Sequence, residues 1–192
     1  MALSKIDVAN MLTGATPVAN GGTALTSGTS GQFLKFTGST TLASAADNAG
    51  KVLQVVSSTL SSYVDTSSTS YADTGLDVAI TPSATSSKIL VLVSHTGLLK
   101  ESSNNAGKLE LGRTISGGSY SALRFFDGDF GRTASTALSV VGGSSTSLLD
   151  SPNTTSAITY KTRFACSVTA AATIRVCQNN CVASITAMEI SA

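Results

Sequence analysis

From residue 51 onward the chain consists of short apolar runs rich in Val, Ile and Thr, and clusters of Gly, Asn, Pro or Ser interrupt these runs every eight to fifteen residues. β-Branched residues fit the pleated, half-buried surface of a sheet, and turn residues at such intervals are typical of all-β domains. No segment shows a convincing apolar period of 3.6, so helices are not expected. The sequence therefore predicts an all-β fold for residues 51–192.

Individual strands can be placed from the apolar pattern. Leu76, Val78 and Ile80 alternate within 72–81, whereas 88–95 is apolar on both faces and is predicted to be a central strand. The other predicted strands are 52–56, 109–115, 120–126, 137–141, 158–168, 173–177 and 181–190. Eight or nine short strands in this length favour a jelly-roll-like antiparallel β-sandwich of two sheets over a single closed barrel.

The first fifty residues have a different composition. Seven of the seventeen glycines lie there, Asn20-Gly21-Gly22 is a strong turn signal, and the apolar residues are sparse and aperiodic. Without a periodic apolar face this region cannot build a core of its own, so it is expected to run extended or in turns unless other chains enclose it. We therefore predict an extended attachment arm over 1–50 and a β-sandwich knob over 51–192.

Charge is unusually low and balanced. Twelve basic and eleven acidic residues give a net charge of +1, and charged residues make up 12% of the chain, about half of the roughly 25% usual in soluble domains. No field of one sign exists to attract nucleic acid. Predicted strands such as 137–141 carry no charge, although natural sheets protect exposed edges with Lys, Pro or cover. The edges are therefore expected to be hidden in a closed oligomer.

Membrane insertion and export are not expected. The longest aliphatic run, 89–93, is far shorter than the roughly 20 residues that a spanning helix needs. Residues 1–15 lack the apolar core of a secretory signal, so synthesis and assembly in a cytoplasm are expected. Three cysteines are an odd number and form no disulfide framework, and reduced, buried thiols are expected.

The residues that catalysis and cofactors require are sparse. His95 is the single histidine and is expected at a strand end with a satisfied hydrogen bond, and no Gly-x-Ser-x-Gly elbow accompanies it. Cys177 and Cys181 form one closely spaced pair without the second pair of a zinc site, so Cys166 and Cys177 are expected to face the core. Gly107-Lys108 lacks the rest of a phosphate loop. The chain is expected to be no enzyme and to hold no cofactor.

One neighbourhood combines aromatic and charged residues in the way that sugar or protein recognition uses them. This possible recognition surface comprises Tyr120, Arg124, Phe126, Asp127, Asp129, Phe130 and Arg132, with Phe125 among them. The alternative is a core strand followed by a solvated turn, since Asp127-Gly128 is a turn signal. Asp127 and Asp129 also raise the question of calcium, but a third acidic ligand and a distal Glu are missing.

Two segments of the arm resemble a known class of proteins. Thr16-Pro17-Val18-Ala19-Asn20-Gly21-Gly22-Thr23 and Gly28-Thr29-Ser30-Gly31-Gln32-Phe33-Leu34 resemble repeats near the N-termini of tail-fibre and related virion proteins of tailed bacteriophages, with Ala24 in place of the usual Gly. Residues 52–56, 73–91 and 183–190 are similar to a β-domain of structural proteins from marine and cyanobacterial phages. The resemblance covers most of the chain.

The resemblance implies a structural protein of the virion: a short homotrimeric fibre whose N-terminal arm docks to other virion proteins and whose C-terminal knob faces outward, with a role in host attachment. The arm residues to which it assigns anchoring are Pro17, Val18, Ala19, Asn20, Gly21 and Gly22. The single arm of about fifty residues is shorter than the shafts of host-recognition fibres. Two alternatives therefore remain: a capsid cement protein or head fibre, and a glycan-binding module centred on 125–132 that contacts a host surface glycan.

Overall fold

The computed structural model describes residues 29–36, 42–45, 50–101, 103–134, 139–168 and 172–192. The chain divides into two units, Met1–Asn48 and Ala49–Ala192. Within the described ranges the regular elements are all strands, and no helix there is long and apolar enough to cross a membrane. The strands are β1 (Phe33–Phe36), β2 (Leu42–Ala45), β3 (Val52–Leu60), β4 (Val64–Thr66), β5 (Ala72–Ile80), β6 (Lys88–Lys100), β7 (Gly107–Ile115), β8 (Ser121–Phe130), β9 (Ser139–Asp150), β10 (Ile158–Cys166), β11 (Ile174–Val176) and β12 (Ala183–Ile190).

The second unit is a sandwich of two antiparallel sheets around one core. One sheet has the strand order β5-β10-β7-β8 and the other β3-β12-β6-β9, while β11 and β4 extend the second sheet beside the far end of β6. If the eight long strands are lettered B to I in chain order, the sheets are C-H-E-F and B-I-D-G, the arrangement of a jelly roll with two Greek keys. The predicted all-β, jelly-roll-like sandwich is therefore confirmed.

The core follows the alternation that the sequence shows. Along β5 the residues alternate between exposed and buried, and Leu76, Val78 and Ile80 point into the sandwich. Their partners across the core include Ile89 and Val91 of β6, which lies between β12 and β9 as a central strand. Because a strand turns successive side chains to opposite faces, one sheet register buries all of these residues together.

β6 continues beyond its predicted end at residue 95. The pairing with β9 shifts register between His95 and Leu98, where Gly97 adopts φ 62°. Glycine has no Cβ and accepts this left-handed conformation, so the strand bends at the irregularity instead of ending there. His95 therefore lies inside β6, and its predicted position at a strand end was wrong.

β9 is much longer than predicted and covers residues that have the composition of a turn. Gly142 and Gly143 follow the predicted segment, yet the strand continues to Asp150 in register with β6. A Cβ on Gly143 would lie 2.5 Å from the His95 carbonyl oxygen, so the two backbones approach closely at this point. Pairing with a long central strand has outweighed the low intrinsic preference of Gly and Ser for strands.

The turn predicted at Asp127-Gly128 is wrong, because both residues lie inside β8. Register shifts in the β7–β8 pairing accommodate the additional residues of β8 without ending the strand. Two glycines of β7 make room for aromatic rings: a Cβ on Gly107 would lie 2.0 Å from the Phe130 ring, and one on Gly112 would lie 2.4 Å from that of Tyr120. The rings thus cover the glycine positions of the neighbouring strand.

One carboxylate connects the two sheets at one edge. Asp150, the last residue of β9, accepts hydrogen bonds from the Tyr160 hydroxyl at 2.6 Å and from the Arg113 guanidinium. Arg113 and Tyr160 are cross-strand partners on β7 and β10. Since the side chain of Asp150 is 10% exposed and that of Arg113 19%, the pair is largely shielded from water.

The described part of the first unit is a small hairpin. β1 and β2 pair antiparallel from Phe33 opposite Ala45 to Phe36 opposite Leu42. The sequence predicts that this region runs extended or in turns, and within it these residues form two hydrogen-bonded strands. Phe33, Leu34 and Phe36 are nevertheless 51–68% exposed, so the hairpin buries no apolar face by itself. The anchoring motif at 17–22 lies outside the described residues.

Candidate functional site

The predicted recognition surface does not form one continuous face. Phe130 is buried, and Phe126 is half-buried with its ring stacked on His95 at a centroid distance of 6.4 Å. Arg124 is exposed and donates a hydrogen bond of 2.7 Å to the Ser147 carbonyl of β9. The other members are Tyr120 and Asp127, both half-buried, and Asp129 and Arg132, both exposed. Their recognition role stays a prediction, and the two core-facing rings are unavailable to a ligand.

Tyr120 belongs to a ladder of charges on the outer face of the C-H-E-F sheet. Arg163 of β10 lies 4.7 Å over the Tyr120 ring and contacts Asp73 at 3.2 Å and Glu110 at 3.6 Å. These residues are neighbours in the strand register. Burial and the charge of Glu110 raise the pKa of the Tyr120 phenol. The phenol is therefore neutral, and the charged side chains of the ladder pair with one another.

Asp127 and Asp129 are not joined by further acidic side chains. Asp129 accepts hydrogen bonds from Ser167 and, at 3.3 Å, from Arg132; the Ser167 bond makes the largest contribution to lowering the Asp129 pKa. Across the ranges that the structure describes, no three His, Cys, Asp or Glu side chains gather where they could hold a metal ion. A calcium site at this place has no structural support.

The thiols and the single imidazole are placed in or beside the core. Cys166 and Cys177 are buried, as predicted, and burial raises the pKa of both thiols. Cys181 is half-buried. His95 is 1% exposed, and its Nε2 lies 2.9 Å from the Thr162 hydroxyl. Burial lowers the His95 pKa to about 4, so the imidazole is neutral at pH 7.

The outer face of the B-I-D-G sheet carries an apolar row that the sequence analysis did not identify. Val55, Met188, Leu90 and Leu149 are successive cross-strand partners on β3, β12, β6 and β9. Val55 and Leu149 are 55% and 53% exposed, and the other two are half-buried. Cross-strand partners lie on the same face of a sheet. We call these four residues the outer apolar row.

The two long edge strands of the same sheet, β3 and β9, are almost uncharged. β3 contains no charged residue, and β9 has one, Asp150, at its end. An edge strand offers unpaired backbone groups to other chains, and natural proteins usually blunt such edges with charge or cover them. The B-I-D-G sheet thus combines the outer apolar row with two long edge strands that carry little charge to repel another strand.

A polar cleft of about 670 Å³ lies where the β3–β4 and β11–β12 connections meet. We call it the end cleft, and it is lined by Ser61, Ser62, Tyr63, Cys177, Gln178, Asn179 and Asn180. Asn179 and Asn180 form the turn between β11 and β12. No periodicity singles out Tyr63, because its partners come from a strand more than a hundred residues away, so the sequence analysis missed this site.

The 177–181 segment of the end cleft rests directly on the bend of β6. The amide of Cys177 donates to the Thr96 carbonyl and that of Gln178 to the Gly97 carbonyl, both at 3.0 Å. A Cβ on Gly97 would lie 2.4 Å from the carbonyl oxygen of Gln178. Glycine at position 97 is therefore required both by its φ and by the close approach of the segment.

Gly97→Ala is expected to lower the free energy of unfolding by about 2 kcal/mol, because the new methyl group clashes with backbone and the residue must keep a left-handed φ. Gly117→Ala is the matched control. Gly117 has φ 78° but no atom within 4 Å of its added Cβ, so only the conformational cost of about 1 kcal/mol applies. Urea unfolding measures both losses, and equal losses would contradict the steric account.

Comparisons with known proteins give matches only among solved structures, since no family model and no curated protein matches this chain. The crystal structure of the infectious bursal disease virus VP2 subviral particle is similar with a TM-score of 0.40 and 12% identity, covering 82% of this chain and 42% of that one. The structure of the Gx strain of that virus has a TM-score of 0.43 and 13% identity, covering 82% and 36%. The T13 particle of the virus gives 0.38 and 11%, covering 82% and 39%.

This chain therefore spans less than half the length of each of the viral chains that it matches. TM-scores below 0.5 at such low identity establish neither a common family nor a common function. The jelly-roll assignment rests instead on the strand order of this chain. Many unrelated functions use that fold, so the fold alone does not identify the function of this chain.

Proposed function

We propose that this chain is a structural protein of a virus particle, a short homotrimeric fibre in which the arm docks to other virion proteins and the jelly-roll knob faces outward to contact the host. The observation that carries the proposal is the outer apolar row on a sheet whose two long edge strands carry little charge. Exposed apolar patches on such a surface mark protein–protein contacts. The trimer, the docking of the arm and the contact with a host are what the resemblance of the sequence implies.

The hairpin of the first unit also supports assembly, because it exposes apolar side chains. A two-stranded hairpin is at best marginally stable in water without a further surface to pack on. The exposed side chains of Phe33 and Phe36 supply an apolar surface that neighbouring subunits or partner proteins can cover. Coverage by neighbours stabilises the hairpin because it removes this apolar area from water.

Light scattering on the full chain tests the oligomer. We expect a mass of about 58 kDa, three copies of the 19.3 kDa chain. A mass near 19 kDa would count against assembly. The double variant Val55→Asp and Leu149→Asp is expected to dissociate the trimer, since it buries two carboxylates in an apolar contact. Phe125→Asp is the control: Phe125 is 67% exposed on the other sheet, and this variant should keep the mass of the wild type.

The position of the chain on the particle tests the fibre itself. Immunogold labelling of intact virions is expected to mark a few copies at the tail or neck. Labelling of hundreds of copies over the shell would instead assign the chain to the capsid as a cement protein. Absence of the chain from purified particles would contradict a structural role in the virion altogether.

A further inference from the structure

The end cleft has the size and the chemistry of a ligand site that lies away from the predicted recognition surface. Its volume of about 670 Å³ falls within the range of pockets that hold small molecules. The side chains that line it are mainly hydroxyl and amide groups around one phenol ring. Such groups both donate and accept hydrogen bonds, as the hydroxyl groups of a polyol require.

The ring of Tyr63 packs against Arg175 and stays exposed to solvent. The guanidinium of Arg175 lies 4.5 Å from the centroid of the Tyr63 ring. Arg175 is in turn fixed by hydrogen bonds of 2.9 Å to Asp65 and of 2.9 Å to Gln178. Tyr63 remains 60% exposed, so a ligand can stack on the ring face opposite Arg175. An aromatic face covers the apolar C–H surface of a flat ligand.

The charges near the end cleft are already paired. Asp65 compensates Arg175, and burial raises the pKa of the Cys177 thiol, which keeps it neutral. The amide of Gln178 is used within the site, donating to the Asn179 side chain at 3.0 Å. Asn179 and Asn180 lie in the same turn and line the cleft. The site therefore matches a neutral ligand better than an ionic one.

One residue of the end cleft has a strained backbone. Cys177 adopts φ 58°, which is uncommon for residues other than glycine, whereas Asn179 and Asn180 adopt 60° and 59° at lower cost because asparagine often occupies this region. Strain of this kind persists where the surroundings hold it in place, and it clusters at ligand sites. Here the hydrogen bonds to Thr96 and Gly97 hold it.

We propose that the end cleft binds a neutral saccharide, with one sugar ring stacked on the exposed ring of Tyr63 and its hydroxyl groups hydrogen-bonded by the side chains of Asn179, Asn180 and the serines of the β3–β4 connection. This site differs from the aromatic cluster of β8, and saccharide binding there is independent of whether the chain is part of a virus particle.

Saturation-transfer NMR on the full chain tests the proposal. The probes are neutral oligosaccharides of glucose, mannose, galactose and N-acetylglucosamine, with sialyllactose as the charged comparison. At least one neutral probe is expected to bind, and Tyr63→Ala should weaken that binding about tenfold, as the loss of one aromatic contact implies. Tyr63→Phe keeps the ring and should bind within about threefold of the wild type.

Two further variants test whether saccharide binding depends on the end cleft and not on another surface. Asn180→Gly removes the amide while tolerating the left-handed φ, and it should weaken binding without unfolding the turn. Val168→Ala shortens an exposed apolar side chain elsewhere and should leave binding unchanged. Binding of no neutral probe, a preference for sialyllactose, or an equal affinity in Tyr63→Ala would each overturn the proposal. The mass of the oligomer, measured in the same samples, reports separately on the proposed function.

Discussion

Asp150→Ala is expected to lower the free energy of unfolding by about 3 to 4 kcal/mol. The substitution leaves the Arg113 guanidinium and the Tyr160 hydroxyl without their shared acceptor, in a place where little water can replace it. Removing one member of a shielded ion pair costs this much because the remaining charge stays desolvated. Denaturation by urea at pH 7 and constant protein concentration measures the loss.

Asp73→Ala provides the matched control. Asp73 also has two basic partners, Lys161 at 2.7 Å and Arg163 at 3.2 Å, but its side chain is 54% exposed. Solvent screens such pairs, so this variant should lose less than about 1 kcal/mol. Tyr160→Phe, which removes one hydrogen bond and keeps the ion pair, should lose about 1 kcal/mol. Equal losses for the two aspartates would show that Asp150 does not connect the sheets energetically.

The free energy of unfolding is expected to fall by about 3 kcal/mol between pH 7 and pH 4 because of His95 alone. Burial lowers its folded-state pKa to about 4, whereas an unfolded histidine has a pKa of about 6.5. In this interval the unfolded chain binds a proton that the folded chain does not, so stability is present in full above pH 6.5 and is lost as the pH falls toward 4.

His95→Gln isolates this effect, since the chain has a single histidine. The variant should show no fall of stability between pH 6.5 and 4.5, where the wild type declines. Burial alone would raise the pKa of Glu189, but hydrogen bonds from Ser83, Gln54 and Ser87 hold it at about 2. Stability linked to Glu189 is therefore lost only as the pH falls from about 4.5 toward 2, below the histidine window. A wild-type profile that is flat above pH 4.5 would contradict the assignment.

The pattern of apolar residues within a short segment was sufficient to predict structure wherever each side chain had to face either the core or the solvent. The alternation of Leu76, Val78 and Ile80 predicted a half-buried strand, and the continuous apolar run of 89–93 within 88–95 predicted a central one. The burial of Cys166 and Cys177 followed from their small apolar character. Each of these inferences depends only on side chains within a few residues.

Local pattern failed where a distant partner decided the conformation. The glycines of β9 and the Asp-Gly pair of β8 have the composition of turns, but pairing with β6 and β7 keeps them in strands. The ring of Phe126 stacks on His95 of another strand instead of joining a recognition surface. Short-range composition carries no information about these partners.

The sequence by itself determined that the chain is an all-β sandwich of low charge, because the period of its apolar residues and its turn residues are properties of short segments. Only the tertiary structure decided which faces the sandwich leaves uncovered. The outer apolar row joins four strands, and the end cleft joins Tyr63 to Asn180. Such surfaces arise from the register between strands that are distant along the chain, and one step of register would turn each of these side chains to the opposite face.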